Sequence, residues 1–278
     1  MERIEGVLTL DVEDWYHANF AQLKGKEAAV AESVRSSNYS IKLCTDLWIQ
    51  TLTEYSAKST CFVLGEFAER HPDAVLSLAR AGHEIACHGF THDLIYEMNR
   101  ENFREFLKKS LGVIGDLVGK TPIGFRAPSW SVDERTPWFC EELERQGIKY
   151  DSSIFPIKTN LYGSTASPLV SYKEGNILRI PVTVLSLGPV RIPFASGAFF
   201  RLAPLALITA GFKRAAKAGQ SVMAVIHPRE LDPLHPRLPL HGWENYVHYA
   251  RLHSTVPKLK RILRQFSWSS VSSHYLLS

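Results

Sequence analysis

Short apolar runs alternate along the chain with longer segments in which apolar residues recur every third or fourth position. A short apolar run bounded by turn residues is typical of a buried strand, and the three-to-four spacing is typical of a helix with one buried face. The pattern predicts strands at residues 7–12, 59–65, 83–88, 123–126, 148–151 and 221–227. It predicts helices at residues 41–55, 72–81, 99–118, 136–146, 205–218 and 241–265, with strands and loops between 156 and 204.

Strands that alternate with helices of this length indicate a parallel sheet with crossover helices, and therefore an α/β fold. Five of the predicted strands end in a polar side chain. In a parallel barrel the carboxyl ends of all strands lie at one face, where active sites are built. We therefore expect these side chains to converge on one site: Asp11, His88, Arg126, Asp151 and His227.

The composition is that of an ordinary globular protein, with 45% hydrophobic residues among 278, and the lack of a repeat or linker favours one domain over residues 1–278. A net charge of +4 is too small to indicate a nucleic-acid partner. No apolar stretch predicts a membrane span and the first residues show no signal-peptide pattern, so we expect a cytoplasmic protein. Four cysteines without metal-ligand spacing are expected to be buried: Cys44, Cys61, Cys87 and Cys140.

Two histidines four positions apart, His88 and His92, follow the third predicted strand. Gly82 and Gly89 bracket this segment, which indicates a strand-to-loop junction rather than the middle of a helix. Side chains at such spacing are about 5–6 Å apart at Cβ, so both imidazoles can reach one metal ion. A single histidine is more often a surface or core residue, so the interpretation needs further ligands elsewhere in the chain.

An acidic cluster, Asp11, Glu13 and Asp14, follows the first predicted strand. Carboxylates at the end of a buried strand are costly unless they are paired or bound to a cation. The cluster therefore supplies candidate partners for the two histidines. Capping of a following helix by Asp14 is the structural alternative.

Ordered motifs in the chain resemble those of the polysaccharide deacetylases, carbohydrate esterase family 4, also called the NodB-homology domain. They are Leu-Asp-Val-Glu-Asp at 10–14, His-Gly-Phe-Thr-His at 88–92, Arg-Ala-Pro-Ser-Trp at 126–130, Tyr-Asp-Ser-Ser at 150–153 and Val-Ile-His at 225–227. The resemblance covers residues 6–230 and implies a single-domain, distorted (β/α) barrel, similar to a TIM barrel, with its active site at the carboxyl ends of the strands. Residues 235–278 would form a helical extension.

The first motif and the His-Pro-Arg-Glu-Leu-Asp-Pro run at 227–233 are similar to a subgroup associated with bacterial exopolysaccharide gene clusters and exosortase systems. This first motif departs from the usual family pattern, in which two adjacent aspartates supply a catalytic base and a metal ligand. Here Asp11 matches the base. The expected ligand set is Asp14, His88 and His92, with Glu13 as the alternative to Asp14. Such a set suits Zn²⁺ best, and Co²⁺ or Ni²⁺ as well.

The resemblance also implies roles for residues of the later motifs. Arg126 would pair with Asp11, and His227 would be the general acid, with Asp151 as the carboxylate that raises its pKa. A structural arginine and a core histidine are the alternatives for Arg126 and His227. Residues expected to contact the sugar are Pro128, Trp130 and Phe155.

The expected activity is metal-dependent removal of N-acetyl groups from a sugar of a polysaccharide or its lipid-linked precursor, so an N-acetylated glycan or lipid-linked oligosaccharide is the expected partner. One alternative is an allantoinase-like hydrolase of cyclic amides. Such relatives often lose the first-motif metal site, and the acidic cluster argues against this reading. The other alternative is an inactive glycan-binding module, which the presence of both Asp11 and His227 argues against.

Overall fold

A curled, mainly parallel sheet surrounded by helices forms the centre of the protein in a computed structural model, which describes residues 3–20, 23–24, 26, 30–32, 40–159 and 161–277. The strands are β1 (Glu5–Val12), β2 (Thr60–Val63), β3 (Glu84–Cys87), β4 (Gly124–Phe125), β5 (Tyr150–Ile154), β6 (Tyr172–Glu174), β7 (Ile177–Pro181), β8 (Val184–Leu187), β9 (Val190–Pro193), β10 (Met223–Ile226) and β11 (Ser267–Ser269). The helices are α1 (Ile41–Glu54), α2 (Gly65–Arg70), α3 (Pro72–Arg80), α4 (Arg100–Val118), α5 (Phe139–Arg145), α6 (Gly197–Leu202), α7 (Leu205–Lys217), α8 (Gly242–Tyr249), α9 (Thr255–Gln265) and α10 (Val271–His274).

The main sheet has the strand order β10-β1-β2-β3-β4-β5-β7-β6, and β11 also pairs with β1. All its pairings are parallel except that of β6 with β7. Strands β8 and β9 form a separate antiparallel pair. The sheet curls into a half-barrel, so the predicted distorted (β/α) barrel is confirmed.

Alternation of side chains along the strands separates two apolar cores. On β1, Leu8 and Leu10 face the outer core beneath the helices, whereas Val7 faces the inner core enclosed by the curl. Thr9 and Asp11 share the face of Val7 by the period of two residues. The register aligns Leu10 with Ile226 and Cys87 with Phe125, so the residues that follow these strands emerge at one edge of the sheet.

The predicted long helix over residues 241–265 is wrong, because the chain breaks there into α8 and α9. Ala250 is extended and Arg251 has a left-handed backbone with φ of 56°. Pro257 then lies in the first turn of α9, where a missing N–H costs least. An uninterrupted helix would place this proline in its interior.

Helix α2 is not predicted by the apolar spacing, and two further differences lie after residue 150. Helix α6 occurs within the segment expected to hold strands and loops, and β11 adds a strand to an extension expected to be helical. The four cysteines are buried, as predicted, and all four are free thiols. Among the described residues, no helix is long and apolar enough to cross a lipid bilayer.

Candidate active site

Three side chains meet at the carboxyl edge of the sheet: Glu13, His88 and His92. Glu13 Oε2 lies 2.9 Å from His92 Nε2 and 3.8 Å from His88 Nε2. One ligand atom of each residue falls within 4.8 Å of the other two. Glu13 lies two residues after Asp11 and therefore on the same face of the extended chain, so its carboxylate points into the interior of the curled sheet. Both histidines follow the end of β3 and lie at the same place.

Asp14, the ligand favoured from the sequence, lies on the other side of the strand end. Its Oδ2 is 3.0 Å from Arg70 Nη2 and accepts a hydrogen bond of 3.0 Å from the Tyr16 hydroxyl. Its Oδ1 is 3.7 Å from His71 Nε2. The side-chain alternation that turns Glu13 inwards turns Asp14 towards α2 and α3. The structure therefore brings together the alternative residue, Glu13, with the two histidines.

The protonation states of this cluster fit a cation site. Burial raises the pKa of the Glu13 carboxyl, but attraction to His92, His227 and His88 outweighs it, and the pKa lies well below its usual value. Burial lowers the pKa of His88 to about 4. At neutral pH the pair is thus an ionised carboxylate and a neutral imidazole, which are the forms that bind metals. Glu13 Oε2 is buried, and although His92 Nε2 lies 2.9 Å away, no N–H or O–H group of the described residues is aligned to donate to it.

Neighbouring groups orient both imidazoles. His88 Nδ1 lies 2.7 Å from the backbone carbonyl of Arg126, which can only accept, so Nδ1 carries the proton and Nε2 presents its lone pair towards Glu13. The Asn19 side-chain amide contacts His92 Nδ1 at 3.2 Å and Ser129 Oγ at 3.0 Å. Asn19 lies in a loop, and no motif or residue spacing in the sequence predicted a role for it.

Asp11 and Arg126 form a buried ion pair beside this cluster, with 2.5 Å between Arg126 Nη1 and Asp11 Oδ1. The same guanidinium donates to Thr9 Oγ1 at 2.9 Å and to Ser152 Oγ at 2.9 Å. It also lies 4.1 Å from the centre of the Phe62 ring. The ion pair of Arg126 with Asp11 expected from the sequence is therefore present. It involves Oδ1, so the second carboxylate oxygen, Oδ2, is not paired with Arg126.

His227 completes the group, since its Nε2 lies 3.9 Å from Asp11 Oδ2 and 4.0 Å from Glu13 Oε1. Its Nδ1 lies 3.1 Å from Glu230 Oε2. Glu230 is fully buried and its other oxygen, Oε1, lies 2.7 Å from Arg201 Nε. Burial alone lowers the pKa of His227, but the hydrogen bond and charge of Glu230 outweigh it and raise the pKa above its usual value.

Asp151, the partner expected for His227, lies on the opposite face of its strand. It is fully buried with 2.9 Å between its Oδ2 and Arg179 Nε, and it accepts a hydrogen bond from the Ser153 hydroxyl. Its register with Phe125 explains the placement, because Phe125 belongs to the outer core. The expected pairing of Asp151 with His227 is therefore wrong.

Glu230, rather than Asp151, is the carboxylate that contacts His227. The sequence contains a pattern from which this contact could have been predicted. Pro228 and Glu230 stand one and three residues after His227, which is the pattern of a capped helical turn with proline at its first position. Glu230 Oε2 accepts from the His227 backbone N–H at 3.0 Å, as that pattern predicts. Arg201 had no comparable signal.

One cleft that opens to solvent is lined by Asp11, Glu13, His88, His92 and His227. Trp130 also lines it, and both Ser129 and Trp130 have left-handed backbones, with φ of 50° and 48°. Strained backbone of this kind concentrates at functional sites. Of the other residues expected to contact a sugar, Phe155 packs behind Trp130 with 5.1 Å between ring centres, and Pro128 is buried.

Two family models match consecutive segments of the chain. Residues 40–150 match the polysaccharide deacetylase family, and residues 152–276 match a domain of unknown function, DUF3473. The candidate site includes residues of both segments, since His88 and His92 lie in the first match and His227 and Glu230 in the second. Glu13 precedes both.

Curated relatives align with part of the chain. The peptidoglycan deacetylase of Helicobacter pylori is 32% identical over 106 residues, which are 38% of this chain and 35% of that protein. A peptidoglycan-N-acetylglucosamine deacetylase of Bacillus cereus is 25% identical over 129 residues, 42% of this chain and 46% of that protein. The matches thus span between a third and a half of these relatives. Together with the first family model, these matches support a relationship of this chain to the polysaccharide deacetylase family.

Solved structures share the fold of the whole chain. A protein of Mycobacterium smegmatis named as a polysaccharide deacetylase has a TM-score of 0.65 at 19% identity, covering 98% of this chain and 89% of that one. Puue allantoinase has a TM-score of 0.60 at 17% identity, covering 98% and 88%. The Bc1960 peptidoglycan N-acetylglucosamine deacetylase has a TM-score of 0.52 at 16% identity, covering 99% and 89%. At these identities the similarity concerns the deacetylase fold alone.

Proposed function

We propose that this protein is a metal-dependent hydrolase that removes N-acetyl groups from sugar residues of a polysaccharide or of its lipid-linked precursor. The observation that carries the proposal is the meeting of three kinds of group in one cleft. A Glu-His-His set lies beside the Asp11 carboxylate and the His227 imidazole, which are 3.9 Å apart. Hydrolysis of an amide needs an activated water, a proton acceptor and a proton donor, and these residues are suited to provide them.

Glu13, His88 and His92 would hold the metal ion. One carboxylate and two imidazoles are a common ligand set for Zn²⁺ and also accept Co²⁺ or Ni²⁺. The ionised carboxylate, the neutral His88 and the unsatisfied Glu13 Oε2 fit this assignment. When bound, such an ion lowers the pKa of water and polarises the amide carbonyl.

Asp11 is the proposed general base. Its Oδ1 is occupied by Arg126, so the other oxygen, Oδ2, is the one that faces the cleft and takes a proton from the attacking water. The Arg126 guanidinium is held at the same time by Thr9 and Ser152, which fixes the orientation of the carboxylate. Loss of a general base typically lowers the rate about 10²–10⁴-fold.

His227 is the proposed general acid. The contact of Nδ1 with Glu230 places a proton on that nitrogen, and the raised pKa favours a second proton on Nε2, which faces Asp11 and Glu13. As the acyl C–N bond breaks, Nε2 donates its proton to the nitrogen of the leaving sugar amine. Water supplies the oxygen of the released acetate, and Asp11 receives the water proton.

The substrate must reach a site walled by aromatic rings. Trp130, Tyr162 and Phe199 line the cleft, and flat apolar side chains of this kind suit the face of a sugar ring. The relatives include peptidoglycan deacetylases, which supports an N-acetylated glycan as substrate. The resemblance to the exopolysaccharide-associated subgroup leads us to propose a glycan of exopolysaccharide assembly, in free or lipid-linked form.

Acetate release from N-acetylglucosamine oligomers tests this proposal. The protein is assayed as purified, after chelation, and after Zn²⁺ or Co²⁺ is added back. Asp11→Asn is the inactive variant, and Asp116→Asn, on the exposed side of α4, is the matched control. We expect metal-dependent release that Asp11→Asn abolishes and Asp116→Asn retains. Hydrolysis of allantoin without any acetate release, or release that chelation leaves unchanged, would overturn the proposal.

A further inference from the structure

Arg229 and His248 line the cleft, and both carry buried polar atoms that have no partner among the described residues. Arg229 Nε and Nη1 and both ring nitrogens of His248 are buried, and none makes a hydrogen bond to the described residues. His248 has no exposed surface. A buried donor without a partner costs the free energy of its lost hydration, and the cost is larger for a charged group. Such groups in an open cleft indicate a bound partner of matching chemistry.

Both oxygens of the neighbouring Glu230 carboxylate have partners other than Arg229. Glu230 is next in sequence, but its Oε2 is used by His227 and its Oε1 by Arg201. The Arg229 guanidinium therefore presents a positive charge and a planar set of donors to the cleft. This geometry matches two oxygens of a phosphate or a carboxylate.

The position of His248 is fixed by the same buried network. Arg201 donates to the backbone carbonyl of Val247 at 2.8 Å and to that of Ala250, so it anchors the last turn of α8 against Glu230. Burial and the charge of Arg229 lower the pKa of His248, so at neutral pH the ring is uncharged. A neutral imidazole carries one N–H donor, and His248 lines the same cleft as Arg229.

We propose that Arg229 and His248 form an oxyanion subsite, and that the substrate carries a phosphate ester, a diphosphate or a carboxylate near its acetamido group. This inference rests on the proposed function and narrows its substrate class. The cleft holds two different regions, a carboxylate-rich one around Asp11 and Glu13 and a cationic one around Arg229. A neutral sugar would leave the cationic region unsatisfied.

Binding of inorganic phosphate and pyrophosphate, measured by isothermal titration calorimetry, tests the subsite without any catalysis. The protein is used after chelation, so that no metal ion at Glu13 contributes. We expect Arg229→Gln to weaken binding about 10- to 100-fold, as for loss of a charge-assisted pair of hydrogen bonds. The affinity of Arg229→Lys should lie between those of the unmodified protein and Arg229→Gln, because lysine keeps the positive charge but lacks the two parallel N–H donors of the guanidinium. The control, Arg264→Gln, lies on the exposed side of α9 and should bind as the unmodified protein does.

Three substrates identify the anion. Acetate release is compared for N-acetylglucosamine, N-acetylglucosamine 1-phosphate and N-acetylmuramic acid, which carries a carboxylate. We expect kcat/KM to be at least about tenfold higher for one anionic sugar than for the neutral one, and Arg229→Gln to remove that preference. The preferred anion tells whether phosphate or carboxylate is the natural group.

The two proposals fail in different ways. Phosphate binding that is absent, or equally strong in Arg229→Gln, overturns the subsite even if acetate is released from neutral sugars. Phosphate binding that depends on Arg229, without acetate release from any sugar, supports the subsite and overturns the proposed deacetylase activity.

Discussion

Glu230 holds His227 at two points, because its Oε2 lies 3.0 Å from the His227 backbone nitrogen and 3.1 Å from the ring Nδ1. The carboxylate is fully buried and its second oxygen is paired with Arg201. A histidine held in this way has one orientation and one protonated nitrogen on the side away from the cleft. The residue proposed to protonate the leaving amine is thus positioned by its own helical turn.

Replacement of Glu230 by Gln tests this relationship. We expect kcat to fall about 10- to 100-fold with little change in KM. The Gln amide has no negative charge to stabilise the protonated imidazole, and it can present either its oxygen or its NH₂ group to Nδ1. Asp151→Asn provides the comparison, since Asp151 pairs with Arg179 away from the cleft. It should mainly lower the free energy of unfolding. A larger loss of kcat in Asp151→Asn than in Glu230→Gln would contradict the assignment.

Replacement of Arg126 by Met removes one partner of a buried ion pair. The Asp11 carboxylate, 3% exposed, would then be left without its counter-ion, and we expect a loss of about 3–5 kcal/mol in the free energy of unfolding. Adding Asp11→Asn should recover part of this loss, because the uncompensated charge disappears. Urea unfolding of both single variants and of the double variant measures the coupling. Strictly additive losses would show that the pair is not coupled.

The sequence predicted the sheet, most helices and the edge where the site lies, because these depend on periodicity that is local in the chain. The choice between Glu13 and Asp14 depended on how far the alternation of β1 continues past Val12. Extending it by one residue past Val12 gives Glu13 the face of Asp11, which is where the structure has it. The same rule, applied to β5, places Ser152 beside Arg126 and turns Asp151 outwards.

Contacts between segments that are distant in the sequence cannot be predicted from local periodicity. Asn19 reaches His92 across 73 residues of sequence, and Arg201 reaches Glu230 across 29, and neither position has a distinctive local pattern. The break between α8 and α9 had a local cause in Pro257. Apolar spacing on both sides of the proline favoured one helix, which is why periodicity alone was misleading.

The pH dependence of stability has a specific source in Glu142. This fully buried carboxylate accepts hydrogen bonds from Arg104 at 2.8 Å and from Arg100 at 2.6 Å. The Arg104 and Arg100 contacts hold the pKa of Glu142 at about 2, below its usual 4.5. A depressed folded-state pKa contributes stability above the unfolded pKa, and that contribution is lost as the pH falls through the folded pKa.

Glu142→Gln should therefore lower the free energy of unfolding by about 1–3 kcal/mol at neutral pH. The difference from the unmodified protein should stay constant above about pH 4.5 and shrink as the pH falls towards about 2. Chemical unfolding at a series of pH values measures it. A difference that grows on acidification would have the wrong sign for a lowered pKa.

Metal binding by two neighbouring acid variants tests the central claim most directly. Zn²⁺ binding to the chelated protein is measured by equilibrium dialysis for the unmodified chain, Glu13→Gln and Asp14→Asn. We predict that Asp14→Asn binds Zn²⁺ as the unmodified chain does, because Asp14 pairs with Arg70 outside the cluster. Glu13→Gln should lose about 10²-fold or more in affinity, together with acetate release. Retained binding in Glu13→Gln with loss in Asp14→Asn would contradict the site described above.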